Sequence, residues 1–130
     1  MNEINEEKPE IIFAYTRKEA LEDGELIDLS GLAKEAGFKY PVAVSRSVYE
    51  ILEPTEELRA SGQSFTGRAW DMLSVLRWSL RRSSAQDRAS FAPLFLMNPR
   101  KSPEPVNLWA VCGPGDEAEP VITIMIQGED

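Results

Sequence analysis

The sequence predicts an α+β domain in which short N-terminal helices and one longer amphipathic helix pack on a small, mostly antiparallel C-terminal sheet. Helix signals, meaning capping residues and an apolar period near 3.6 residues, are concentrated between residues 16 and 82. Strand signals, meaning short runs rich in β-branched residues, dominate residues 91–126. Helices and strands are therefore segregated along the chain, which favours α+β over alternating α/β.

The domain limits follow from composition. Residues 1–10 are too polar and charged to pack, so we predict a disordered acidic arm there and a single domain over residues 11–130. No apolar run approaches the roughly 20 residues that span a bilayer, and the N-terminus lacks the basic and apolar regions of a signal peptide. We therefore expect a cytoplasmic protein with no membrane partner.

The first third of the chain carries helix signals between short extended pieces. Residues 11–15 form an apolar run of strand length, and Thr16 and Glu19 have the spacing of a capping box. This pattern predicts a helix from residue 17 that ends near Gly24. Ser30 is predicted to cap a second helix, with Gly37 at its left-handed C-terminal end.

A third short helix and a loop are predicted next. Residues 41–44 read as an extended piece, Ser45 is placed to open a helix over residues 46–52, and Pro54 stops it. The stretch from residue 53 to 67 contains two glycines and several small polar residues, which predicts a mobile loop.

The strongest helix signal covers residues 68–82. At about 100° per residue its apolar side chains fall on one broad face. These are Ala69, Met72, Leu73, Leu76 and Leu80. We predict that Leu73, Leu76 and Leu80 pack this helix on the sheet.

Three strands are predicted in the last third, over residues 91–97, 106–112 and 121–126. The last of them is nearly apolar on both faces and is therefore placed in the sheet interior. Pro93 suits a sheet edge or a strand start better than a strand centre. Residues 113–120 are predicted to join the last two strands as a long hairpin loop.

Charge is segregated along the chain, whose net charge is −8. Residues 1–60 hold 7 Lys/Arg against 14 Asp/Glu, residues 61–101 hold 7 against 2, and residues 102–130 hold 0 against 6. The basic block contains a candidate surface made of Arg77, Trp78, Arg81 and Arg82, which we place on one helix face. Either the fold covers Trp78 and the arginines pair with the acidic segments, or Trp78 is exposed and receives an acidic partner or a nucleobase.

Familiar catalytic and metal chemistry is not expected. The chain has no histidine and one cysteine, so it cannot assemble a Cys/His or Ser/His/Asp site. Cys112 is predicted to be a packed small residue. The acidic clusters at residues 23–28 and 116–119 are interpreted as solvated turns, because neither has EF-hand spacing. We expect no enzyme activity, no metal and no cofactor.

Three segments carry a resemblance to a known family. They are IFAYTRKEALEDGELIDLSGLAKEAGFKYPVAVS, GRAWDMLSVLRW and WAVCGPGDEAEPVITIMIQGED. The chain resembles, from about residue 11 to its end, a family of small uncharacterised proteins encoded on bacterial plasmids, phages and other mobile elements. The resemblance implies an accessory protein of mobile DNA and carries no assigned activity or catalytic residue.

We predict a non-catalytic protein-binding module that binds a host or plasmid-encoded protein, as a monomer or small homo-oligomer. The expected partner-binding residues are Arg77, Trp78, Arg81, Arg82, Asp116, Glu117 and Glu119. One alternative is an acidic nucleic-acid mimic that inhibits a host defence or DNA-binding enzyme. Another is a small histidine-free toxin-like ribonuclease that uses Arg77, Arg81 and Arg88. Nucleic acid itself is not expected as a partner, because the net charge is strongly negative.

Overall fold

The structure is a computed structural model that describes residues 16–82 and 88–129. The predicted acidic arm and the strand candidate at residues 11–15 lie outside the described residues. The helices are α1 (Arg17–Asp23), α2 (Ser30–Glu35), α3 (Arg46–Leu52), α4 (Glu56–Ala60) and α5 (Phe65–Arg82). The strands are β1 (Leu26–Asp28), β2 (Val42–Ser45), β3 (Arg88–Phe91), β4 (Leu94–Phe95), β5 (Glu104–Pro105), β6 (Leu108–Pro114) and β7 (Pro120–Ile126). The predicted α+β class is confirmed.

The described residues form a five-stranded sheet in the order β1-β2-β7-β6-β3. Its pairs are antiparallel except that β2 runs parallel to β7. Strand β7 lies at the centre, as its apolar sequence predicts. The last third of the chain supplies three of the five strands, as predicted, and β1 and β2 from the first half also join the sheet. All four residues of β2 are buried, so this short segment is an interior strand.

Capping residues set most helix ends as predicted. The Thr16 hydroxyl accepts from the Glu19 amide at 3.0 Å, and the Glu19 carboxylate accepts from the Thr16 amide at 2.9 Å. Gly24 then ends α1 in the left-handed conformation at φ +83°. The Ser45 hydroxyl accepts from the Val48 amide at 3.3 Å and begins α3. Gly37, at φ +101°, follows α2.

The predicted cap at Ser30 is wrong, since Ser30 is the first residue of α2 and its side chain has another role. Its hydroxyl donates to the Asp28 carboxylate at 2.6 Å and accepts from the Val42 amide at 3.0 Å. Ser30 therefore connects the end of β1 to the start of β2.

The predicted loop over residues 53–67 is also wrong, because it contains α4 and the first turn of α5. The Thr55 hydroxyl accepts from the Leu58 amide at 3.2 Å, and Leu58 is buried. The Ser64 hydroxyl accepts from the Gly67 amide at 3.0 Å, so α5 begins three residues before the predicted start. Small polar residues act here as helix caps rather than as loop formers.

The predicted strand over residues 91–97 is divided in two. Strand β3 ends at Phe91, and β4 pairs with β5 in a separate two-stranded sheet. Pro93 lies between them and is fully buried. Proline has no amide hydrogen to donate to a ladder, so a continuous strand is not formed across it. The final hairpin is confirmed, with its loop shortened to residues 115–119 because both strands extend to prolines.

The core lies between α5 and one face of the five-stranded sheet. Met72, Leu73 and Leu76 have no exposed surface and pack in one cluster with Val44 and Ile124. Leu80 is half-buried against the same cluster. The predicted packing of α5 on the sheet is therefore confirmed. No helix in the described part of the chain is long and apolar enough to cross a membrane.

Candidate functional site

Trp78 is exposed, which decides between the covered and the exposed tryptophan that the sequence leaves open. Its side chain retains 57% of its full exposure, and the Arg82 guanidinium carbon lies 4.4 Å from the centre of its ring. The two residues are one helical turn apart, so the arginine covers one face of the indole in a cation–π contact. The alternative in which the fold covers Trp78 is wrong.

Leu94 lies beside Trp78 and is 61% exposed. Both residues line a shallow depression between the outer face of α5 and β4. Its other lining residues are Asp71, Ser74, Val75 and Ala92. We call the area formed by Val75, Trp78, Ala92 and Leu94 the Trp78 patch. Pro93 is buried, whereas its two neighbours, Ala92 and Leu94, are exposed.

Arg77 and Arg81 lie on a different flank of α5. They line a cavity of about 400 Å³ together with residues 37–40, Leu80, Arg88, Ala89, Ala110, Cys112 and Ile122. A Cβ atom added to Gly37 would lie 2.7 Å from the Arg77 guanidinium carbon, so that guanidinium packs directly on the glycine. The structure therefore divides the four predicted residues into two pairs, Trp78 with Arg82 and Arg77 with Arg81.

Arg88 also lines this cavity, and its guanidinium is engaged with an aromatic ring. Its guanidinium carbon lies 4.1 Å from the centre of the Trp109 ring. Arg77, Arg81 and Arg88 therefore all border this cavity, with the Arg88 guanidinium stacked on Trp109.

Cys112 is exposed and lines the cavity, so the prediction that it packs in the core is wrong. It follows Leu108 and Ala110 on the same face of β6, but it lies beyond the part of the sheet that the helix covers. Sequence reasoning also missed Phe38, Lys39 and Tyr40 as cavity residues. The signal available was a helix-ending glycine followed directly by two aromatic residues and a lysine.

The predicted acidic surface is largely engaged within the chain. The Asp116 carboxylate accepts from the Arg17 amide at 2.8 Å and from the Lys18 amide at 3.0 Å, so it caps the start of α1. The Glu119 carboxylate accepts from the Glu117 amide at 2.9 Å within the hairpin loop. Residues 116 and 119 therefore organise the loop and attach it to α1, while the Glu117 side chain is exposed.

Arg17, the first residue of α1, also connects this helix to strand β7 of the sheet. Its guanidinium donates to the Thr123 hydroxyl at 2.7 Å and to the Ile122 carbonyl at 3.2 Å. Burial lowers the pKa of Arg17, and the nearby carboxylates of Asp116, Asp28 and Glu119 oppose that effect without cancelling it. Within the described ranges, no three Cys, Asp or Glu side chains converge as a metal site would require.

Replacing Asp116 with alanine should lower the free energy of unfolding by about 1–3 kcal/mol, because two helix-terminal amides lose a charged acceptor. Glu117→Ala in the same loop removes a carboxylate that accepts no hydrogen bond from the described residues, and it should change stability by less than about 0.5 kcal/mol. Equilibrium denaturant unfolding of both variants measures the difference. Equal losses would show that Asp116 is not a structural cap.

These features define a small α+β protein whose central helix carries an exposed tryptophan on one flank and a basic cavity on the other. The model of a family of unknown function, DUF6573, matches residues 1–130, and the chain belongs to this family. No curated protein and no solved structure matches the chain.

Proposed function

We propose that this protein is a non-catalytic protein-binding module whose Trp78 patch captures an acidic, apolar segment of a partner protein. The observation that carries the proposal is the exposure of two large apolar side chains, Trp78 and Leu94, side by side. A partner that covers them removes apolar surface from water, which stabilises the complex by roughly 25 cal/mol per Å². Tryptophan and arginine are also the residues that most often dominate binding energy at protein interfaces.

The charge around the patch supports an acidic partner. Arg82, in the last turn of α5, stacks on Trp78, while Asp71 is the charged residue that lines the depression itself. Arg82 belongs to the block of residues 61–101, in which basic residues outnumber acidic ones by 7 to 2. A carboxylate on the partner would pair with the Arg82 guanidinium while an apolar side chain covers the indole.

The wider role we propose is that of an accessory protein of a bacterial mobile element, acting in the cytoplasm on a host or plasmid-encoded protein. The resemblance of the three sequence segments described above supports this context. The acidic loop at residues 115–119 is a weaker candidate for a contact surface, because Asp116 and Glu119 already accept hydrogen bonds within the chain.

Affinity capture with matched tryptophan variants tests the proposal. Trp70 lies on the same helix and is 41% exposed, but it lines a different depression with Gly67 and Gln63. Trp78→Ala should reduce recovery of the specific partner from a lysate of the source cell by about tenfold or more, which corresponds to a loss above 1.4 kcal/mol. Trp70→Ala should leave recovery unchanged, and both variants should unfold at the wild-type temperature.

Three outcomes would contradict the proposal. If Trp78→Ala retains the partner, or if Trp70→Ala loses it equally, the Trp78 patch is not the docking surface. If recovery depends on nucleic acid and disappears after nuclease treatment, the interaction is not a direct contact between proteins.

A further inference from the structure

The cavity beside Arg77 and Arg81 combines an apolar floor with a positively charged mouth. Its floor contains Leu80, Ala89, Ala110 and Ile122, which come from α5 and from three strands of the sheet. At about 400 Å³ it falls within the range of roughly 300–1,000 Å³ that is typical of small-molecule sites. It lies on a different flank of α5 from the Trp78 patch and is independent of the function proposed for that patch.

The cavity exists because the sheet extends past its helical cover. Leu108, Ala110 and Cys112 alternate onto the same face of β6. Leu108 is buried in the core, whereas Cys112 is exposed. Ala89 and Ala110 are too small to fill the space above them, so an apolar hollow remains beside the last turns of α5.

The charges at the mouth are of one sign. Arg77, Arg81 and Lys39 line the cavity, and none of its lining residues is acidic. Among the described residues, neither arginine has a carboxylate partner. Gly37 lacks a Cβ atom, which allows the Arg77 guanidinium to pack against the backbone at the mouth. Guanidinium groups bind carboxylate and phosphate oxygens through paired hydrogen bonds.

We propose that this cavity binds a small amphipathic anion, with its apolar body on the alanine floor and a carboxylate or phosphate head at Arg77 and Arg81. Phe38 and Tyr40 border the same space, so aromatic side chains also contact the apolar body. An apolar molecule without a charge would leave the arginines unpaired, and a cation would be repelled. The positive charge at the mouth of the cavity therefore favours an anion, and the apolar floor favours a ligand with an apolar body.

Cys112 provides a direct reporter, because it is the one cysteine of the chain and it lines the cavity. Decanoate and decyl phosphate, each kept below its micelle concentration, should slow alkylation of Cys112 by iodoacetamide in a saturable manner. The more effective of the two identifies the preferred head group. Decanol and decyltrimethylammonium should protect the thiol at least about tenfold less well at equal concentration.

Arginine variants test the mouth. Arg77→Gln and Arg81→Gln should each weaken protection by about tenfold or more, the factor expected for loss of a charged hydrogen bond. Arg82→Gln, one residue further along α5, should have the wild-type affinity, because Arg82 stacks on Trp78 instead. Calorimetric titration of a Cys112→Ser variant with the better anion should give the same affinity as the protection curve.

The proposal is overturned if neither anion protects Cys112, if decanol protects it as well as decanoate does, or if Arg82→Gln weakens binding as much as Arg77→Gln. Equal affinity of the two arginine variants and the wild type would likewise overturn it. Circular dichroism of each variant ensures that these comparisons are made on folded protein.

Discussion

Replacing Leu76 with alanine is expected to lower the free energy of unfolding by about 2–5 kcal/mol. Leu76 has no exposed surface and lies in the cluster that joins α5 to the sheet. The substitution removes buried methyl groups and leaves a cavity that the surrounding side chains fill only partly. For a domain of this size, each kcal/mol corresponds to a fall of roughly 4 °C in the melting temperature.

Leu94→Ala is the matched control for Leu76→Ala. Leu94 is 61% exposed, so its loss should change stability by less than about 0.5 kcal/mol. Comparison of the two variants should therefore distinguish effects on stability from effects on partner binding. Leu94 belongs to the Trp78 patch, whereas Leu76 lies in the core. Equal unfolding midpoints for Leu76→Ala and the wild type in urea would contradict the packing of α5 described here.

Arg68→Met is expected to raise the free energy of unfolding by about 1–2 kcal/mol. Arg68 is 3% exposed, and burial lowers the pKa of its guanidinium. Among the described residues it has no carboxylate partner, and its Nε–H group donates no hydrogen bond. Methionine also has an unbranched side chain, which can follow a path similar to that of the arginine side chain, and it carries no charge.

Arg68→Ala should have the opposite effect, with a loss of about 2–4 kcal/mol. It removes the hydrogen bond from the guanidinium to the Leu96 carbonyl at 3.2 Å and the cation–π contact with Phe95 at 5.0 Å. It also opens a cavity beside the core. Denaturant unfolding of both variants gives the comparison, and a loss in Arg68→Met as large as in Arg68→Ala would show that the charge itself is stabilising.

Local signals predicted much of the fold because they act through neighbours in sequence. The capping box at Thr16, the left-handed glycines and the apolar face of α5 each depend on residues within about one or two turns. The central position of β7 also followed from its sequence, since a strand that is apolar on both sides must be covered on both sides. Each of these features can be recognised from residues that are close together in the sequence.

The errors came from residues whose role depends on distant partners. Ser30 has the sequence context of a cap, but it hydrogen-bonds across to Val42 on the next strand. Residues 41–44 read only as an extended piece because the residues of β7 with which β2 pairs lie 80 positions later in the chain. Pro93 was recognised as unsuited to a strand centre, yet its neighbours were still assigned to one continuous strand.

The sequence predicts which residues form the candidate surface on α5, but it does not predict how the structure divides them between two surfaces. Helical spacing places Arg77, Trp78, Arg81 and Arg82 on one helix face, and each of them is exposed. Their division between two surfaces depends on what lies beside each flank, namely β4 on one side and residues 37–40 on the other. No pattern within α5 contains that information.

Site-specific photocrosslinking tests the central claim most directly, which is that the Trp78 patch docks a partner protein. A photoreactive residue placed at Ser74, which is exposed within the depression next to Trp78, should crosslink the captured partner. The same residue at Glu57, exposed on α4, is the matched control and should give no such product. A crosslink from position 57 with none from position 74 would contradict the account and place the interface elsewhere on the molecule.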